Sequence, residues 1–204
     1  MEINNFSILS KYFKKLKSTE DFYFIQIIQR KKDGHFKNEN VIKSLYIYNE
    51  EEFLHKEEYI IQICKKYNAR AYFWIIPRNS KIITLECIKA LSDSIISNSC
   101  KHGYKIWDKK CGSTTAPNYK HHWIVDIDNK DKGFLITIGR LINLCRGNDD
   151  NKIIDIIPTL NGYHLITSEF DLYQFKQKLA LEGIVNIDVH KNNPTLLYYE
   201  KAEL

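Results

Sequence analysis

The chain has no uninterrupted apolar run near the roughly 18 residues of a membrane-spanning helix. Its first residues, MEINNFSILSKYFKKLKS, lack the basic start, apolar centre and small-residue cleavage site of a secretion signal. Together these predict a cytoplasmic protein with no membrane partner. The five cysteines (Cys64, Cys87, Cys100, Cys111, Cys145) are odd in number and contain no CxxC pair, which argues against a disulfide framework and for reduced thiols. With only 4 prolines and 8 glycines, no Pro/Gly/Ser-rich linker divides the chain, and no repeat or low-complexity tract is present. What remains is ordinary globular material of 204 residues, 44% hydrophobic and 27% charged, long enough to bury a core. Its formal net charge of +5 leans only slightly towards nucleic acid.

Hydrophobic patterning predicts an α+β chain. A short basic amphipathic helix is expected over 7–17, strands over 22–30 and 41–48, and a helix from the acidic EEEF to about Tyr67. ARAYFWIIP (69–77) reads as a strand and 82–96 as a helix. SCKHGYKIWDKKCGSTTAPNYKH is too polar and irregular for either, and is expected to be a long loop or small insertion. From residue 122 the pattern tightens. Strands are expected over 122–128, 152–158, 163–167 and 184–190, helices over 133–146 and 170–183, and TLLYYE forms one strand more. The order β-α-β-β-α-β is the split-βαβ arrangement of ferredoxin-like and RNA-recognition-motif (RRM-like) sheets. The expected organisation is a single domain, with an N-terminal α/β subdomain at 1–99, an irregular insertion at 100–121 and an RRM-like subdomain at 122–204.

HHWIVDID (121–128) is an apolar strand ending in two carboxylates. Asp126 and Asp128 are two residues apart, so on a strand their side chains share a face. In the split-βαβ order His164 lies on the neighbouring third strand and Asp188 on the fourth, flanking the first from the other side. Three carboxylates this close repel one another, and divalent cations remove that penalty. Oxygen donors suit Mg²⁺ or Mn²⁺, and two such ions form the clamp used in nucleotidyl transfer. His164 would then serve as a donor to a triphosphate or, as the weaker alternative, ligate metal. Each piece also has an ordinary reading: a solvated strand end, a structural histidine, a polar turn.

VDID, NGYHLIT and NIDVHKNNPTLLYY together resemble the three motifs of the archaeo-eukaryotic primase (primase–polymerase) superfamily, over about residues 69–200. The resemblance implies an RRM-like catalytic sheet preceded by a smaller α/β unit. It implies that Asp126, Asp128 and Asp188 hold two Mg²⁺ or Mn²⁺ ions and that His164 contacts the incoming nucleotide. Arg78 and Asn79, at the end of the strand preceding the cleft, become candidate nucleotide or template contacts, and Lys191 a candidate phosphate contact. The implied activity is DNA primase or polymerase chemistry: addition of nucleoside triphosphates on a single-stranded DNA or RNA template, with a separate helicase or replication initiator as a possible partner. The sequence carries no helicase module and no added helical domain, which bears on initiation more than on transfer. Primases of this kind often carry a zinc-binding insertion. Cys100, His102, Cys111 and His121 (or His122) are the matching zinc candidates, although their spacing fits no standard pattern.

Two rival functions use the same sheet. A non-catalytic RRM-like module would bind single strands by stacking bases on Trp123 and Tyr163, but three central aspartates would repel phosphate unless metal were bound. A rolling-circle Rep or relaxase-type nuclease would want a His–hydrophobic–His metal motif, and adjacent His121 and His122 would face opposite sides of a strand.

Overall fold

The computed structural model describes residues 2–33 and 38–201, apart from the side chains of Lys32 and His102. The protein is mixed α+β, built on antiparallel pairings. In chain order the strands and helices begin with β1 (Glu2–Asn4), α1 (Phe6–Leu9), β2 (Asp21–Gln29), β3 (Asn40–Ile47), α2 (Glu50–His55) and α3 (Glu57–Tyr67). There follow β4 (Arg70–Phe73), β5 (Arg78–Asn79), α4 (Ser80–Ile96) and α5 (Ile106–Ser113). The remainder is β6 (Trp123–Ile127), α6 (Lys132–Asn143), β7 (Ile153–Pro158), β8 (Tyr163–Thr167), α7 (Leu172–Leu181), β9 (Asp188–His190) and β10 (Thr195–Glu200). Among the described residues no helix is long and apolar enough to cross a membrane.

The chain divides into two compact units, Met1–Tyr119 with Leu197–Leu204, and Lys120–Leu196. The six-stranded sheet runs β1-β10-β4-β2-β3, with β5 also pairing β2. The strand β2, DFYFIQIIQ, which pairs with β3, β4 and β5, is apolar without alternation because both of its faces are covered. On one face Tyr23 stacks on Phe73 at 4.9 Å and meets Phe13 at 4.7 Å, and Phe13 in turn meets Phe53 at 4.7 Å. On the other face Phe24 packs against Trp74 at 4.8 Å.

In the second unit the strand order is β7-β8-β6-β9. Trp123, Val125 and Ile127 on β6 and Leu165 on β8 form one core with Leu135, Ile138, Leu141 and Ile142 of α6 and Phe175 and Leu179 of α7. Asp131 caps α6 through the Gly133 and Phe134 amides, and Asp171 caps α7 through those of Tyr173 and Gln174. Gly183, at φ +67°, ends α7 in the left-handed conformation, and Ile184 N–H donates back to the Leu179 carbonyl at 2.9 Å.

Several expectations are corrected. The segment 100–121 is irregular only over 114–121: before that, a 3₁₀ turn (Cys100–Lys105) leads into α5. Buried Cys111 fastens that helix, its carbonyl accepting from Arg78 Nε at 2.5 Å, while Lys110 reaches Glu86 of α4 at 3.2 Å. Gly112 and the many polar residues hid a helix whose inner face is so short. The strand expected over 184–190 shrinks to Asp188–His190, because Asn186 takes φ +63°, a left-handed conformation that an extended strand cannot hold. β4 ends at Phe73, Trp74 N–H still donates to the Phe24 carbonyl at 3.0 Å, and ladder pairing with β2 resumes at Arg78–Asn79. The helix expected to reach Tyr67 is two helices meeting at Lys56. The last strand begins in the second unit, but from Leu197 it belongs to the first, between β1 and β4. The Gly34 end of the turn expected at KKDG lies outside the described residues.

Candidate functional site

The site is set by register. β6 lies between β8 and β9, antiparallel to both, and Asp126 stands directly opposite His164 on one side and Asp188 on the other. Directly opposed residues share a face, with Cβ atoms about 5 Å apart. Asp126, His164 and Asp188 therefore project together from the face opposite the helix-packed core. Asp128 is exposed and lies one residue beyond the end of β6. Two like charges placed opposite each other on neighbouring strands destabilise the pair, so Asp126 and Asp188 are a costly arrangement for a sheet that needed only to fold.

A glycine holds the strand end in place. The turn joining β7 to β8 closes with Thr159 N–H donating to the Gly162 carbonyl at 2.9 Å and Gly162 N–H to Thr159 Oγ1 at 3.1 Å. A Cβ on Gly162 would sit 1.9 Å from the Ile127 carbonyl oxygen and 2.6 Å from Asn129 N. Asp128 thus lies between the two residues against which this turn is pressed. Asn129 Oδ1 in turn accepts from Asp131 N–H at 2.8 Å, tying the segment to the cap of α6.

His164 is held at both ring nitrogens. Nδ1 is 2.9 Å from the hydroxyl of Thr195, which is fully buried, and Nε2 is 3.5 Å from Asp126 Oδ1. Burial, with His190 close enough to repel a proton, holds the imidazole down at about 4. The aspartate contact pulls the other way. At 3.5 Å it is well beyond the roughly 2.8 Å of a charge-assisted hydrogen bond, and the side chain is only 15% exposed, so burial prevails and the ring is neutral at ordinary pH. A carboxylate only accepts, so the tautomer that suits both neighbours has the hydrogen on Nε2, towards Asp126, and Nδ1 as acceptor for the Thr195 hydroxyl.

The sign of the pH effect follows. Between pH about 4 and 6.5 the unfolded chain binds a proton at this position that the folded chain does not, so stability rises with pH over that window. The contribution is complete above 6.5 and is lost as the pH falls towards 4, on the order of 3 kcal/mol at most. His164→Gln is expected to flatten the urea-denaturation stability profile across that window, and an NMR titration of the wild-type imidazole should show no protonation above pH 5.5. Thr195→Val should cost about 1 kcal/mol and change the ¹⁵N shifts of the His164 ring as Nδ1 loses its donor. Thr195→Ser should restore both.

The other residues singled out by sequence are placed differently. Lys191 Nζ lies 4.9 Å from the centre of the Trp123 ring, and Trp123 belongs to the helix-packed core rather than to the face of Asp126. Arg78 is fully buried. Its Nη1 donates to the Ile76 carbonyl at 2.5 Å, in addition to the bond to Cys111, and burial holds its pKa down to about 10. It fastens the first unit internally and offers no surface to a phosphate. Asn79 caps α4 through Ile82 N–H at 3.2 Å and donates to Asp21 at 2.7 Å. Trp123 is buried and offers no ring for a base to stack on, while Tyr163 is half-buried against the same core.

Of the zinc candidates, Cys100 and His121 are exposed and the His102 side chain lies outside the described residues. Cys111 is buried, its thiol pushed up to about 12 by burial, with Asp108 adding to the push and the Arg78 guanidinium opposing it. Among the described residues, no three His, Cys, Asp or Glu side chains stand grouped to hold a metal ion. Asp126, Asp128 and Asp188 are therefore not gathered into such a group as they stand, although carboxylate oxygens are the donor type that Mg²⁺ and Mn²⁺ take, with Asp126 and Asp188 directly opposite and Asp128 two residues along from Asp126.

Sequence reading missed three members of this face. His190 follows Asp188 by two residues and stands opposite Ile124, Asp155 on β7 stands opposite Ile166, and Thr195 reaches His164. Strand parity counted from Asp188 points to His190. Asp155 is hidden by the register shift between Ile153 and Asp155, and Thr195 reads only as part of a last strand. Compared with models of known protein families, with characterised proteins and with solved structures, the chain matches none.

Proposed function

We propose that this chain is a divalent-metal-dependent nucleotidyltransferase of the primase–polymerase kind, adding nucleotides on a single-stranded nucleic-acid template. The observation that carries this reading is the register that sets Asp126 directly opposite both His164 and Asp188. A split-βαβ, RRM-like class for the second unit is part of the same proposal, supported by its β6-α6-β7-β8-α7-β9 chain order and β7-β8-β6-β9 strand order.

In the proposed reaction a 3′-hydroxyl oxygen attacks the α-phosphate of a nucleoside triphosphate, forming a phosphodiester as the bond to pyrophosphate breaks and the hydroxyl proton passes to solvent water. Mg²⁺ or Mn²⁺, held by Asp126, Asp128 and Asp188, would supply charge neutralisation on the triphosphate and a lowered pKa for the attacking hydroxyl. His164, neutral and fixed by Thr195, offers its Nε2–H to a phosphate oxygen as a donor that repels no cation. Asp126 binds and orients without itself taking up a proton, so the protein's contribution is mainly positioning. Burial of Trp123 in the core counts against a purely base-stacking module.

The test is incorporation of labelled nucleotides on single-stranded DNA with Mg²⁺ or Mn²⁺, with and without an annealed primer. Product that disappears when Asp126 and Asp128 are both changed to alanine supports the reading, and the unprimed reaction separates priming from extension. Absence of product under all these conditions, or product that survives the double change, overturns it.

A further inference from the structure

The first unit has a cleft of about 670 Å³ between the β2–β3 ribbon and the turn leading into α5, a volume in the range of small-ligand sites. Gln26 and Asn40 line its sheet side, and Tyr104, Lys105, Asp108 and Lys109 its helical side. Its acidic groups face internal donors. Asp108 accepts from Ser44 Oγ at 2.6 Å and from the Tyr46 hydroxyl, and Ser44 also accepts from Gln26 Nε2 at 3.2 Å. Glu39, at the edge of the cleft, pairs with Arg30. The basic groups face outward: Lys105 and Lys109 are exposed. Tyr104 is 78% exposed, an unusual cost for a large ring, and Lys105 Nζ lies 5.5 Å from the ring centre.

We propose that this cleft binds single-stranded nucleic acid, with one base stacked on Tyr104, flanking phosphates on Lys105 and Lys109, and the Gln26 and Asn40 amides within reach of a base edge. An exposed aromatic ring beside cations is the combination by which proteins hold single strands without sequence preference. Unlike the aspartate face of the second unit, this surface needs no metal to accept a phosphate. The inference does not depend on the chain being a nucleotidyltransferase.

The test is fluorescence anisotropy of a short labelled oligothymidylate, without divalent metal, over a series of salt concentrations. Tyr104→Ala is expected to weaken binding roughly tenfold, the effect of losing one stacked base, and Tyr104→Phe to leave it near wild type. Changing Lys105 and Lys109 together to glutamate should abolish binding at moderate salt. Changing both to glutamine should reduce the logarithmic salt slope by about 1.4, two single-strand phosphate contacts. The Tyr104 and lysine variants are read for strand binding without metal and the Asp126/Asp128 double variant for incorporation, so failure of one reading is distinguishable from failure of the other. Binding unchanged by the tyrosine and lysine substitutions, no binding by the wild type at low salt, or equal affinity for a blunt duplex in which the bases are already stacked would each overturn the proposal.

Discussion

Asp126→Asn is expected to separate the folding cost of the aspartate face from its use. Asparagine keeps the shape of the side chain and removes one of two charges that stand directly opposite each other on β6 and β9. Without metal, the variant should be as stable as wild type or more so, by up to about 1 kcal/mol, because a like-charge cross-strand pair is relieved. With Mn²⁺ the order reverses. Wild type gains stability as a ligand binds its folded state, by about 2.7 kcal/mol when the ion is at a hundred times its dissociation constant, and the variant does not. Nucleotide incorporation should fall about a hundredfold or more, since even the partners of metal ligands cost up to that much when changed. Melting curves with and without Mn²⁺, run beside the incorporation assay, check all three. A wild type whose melting temperature ignores Mn²⁺ would remove the metal from the reading, and a variant with wild-type incorporation would remove Asp126.

Gly162→Ala should be among the most damaging single methyl additions to this chain. The new carbon would meet backbone on two sides, the Ile127 oxygen at 1.9 Å and Asn129 N at 2.6 Å, and backbone cannot swing aside as a side chain can. The turn or the end of β6 must move. The expected loss is about 3 kcal/mol in urea denaturation, the upper range for overpacking and a large share of a typical domain's 5–15 kcal/mol. Incorporation should fall further than the unfolded fraction explains, because the displaced segment carries Asp128. Gly183→Ala is the useful contrast. Nothing lies within 4 Å of a Cβ there, and only the φ of +67° resists, so about 1 kcal/mol is expected, with incorporation unchanged per folded molecule. Equal losses at the two glycines would mean that the Gly162 turn can yield without cost.

Much of the second unit was legible in the sequence because its signals are local. Strand alternation in HWIVDID, the helical spacing of Ile138, Leu141 and Ile142, the aspartates before α6 and α7, and Gly183 after α7 each act within a turn or two of chain. Asp126, Asp128, His164 and Asp188 could be picked out for the same reason: a charge beside apolar strand residues stands out wherever the strand later pairs. The first unit was read less well where neighbours far along the chain decide. α5 is held by Arg78 and by Glu86 of α4, strand 69–77 gives way after Phe73 to a second pairing with β2, and the last strand inserts between β1 and β4. None of those partners is visible from the segment itself.

The division at the site is similar. Sequence alone determined which carboxylates and which histidine to examine, through residue type and strand parity. Tertiary structure decided that Asp126 is the residue both strands meet, that Thr195 sets the direction of the His164 ring, that Arg78 is spent inside its own unit, and that Lys191 lies against Trp123. Register, burial and ring orientation are properties of pairs far apart along the chain, and their energies exist only once the strands have come together.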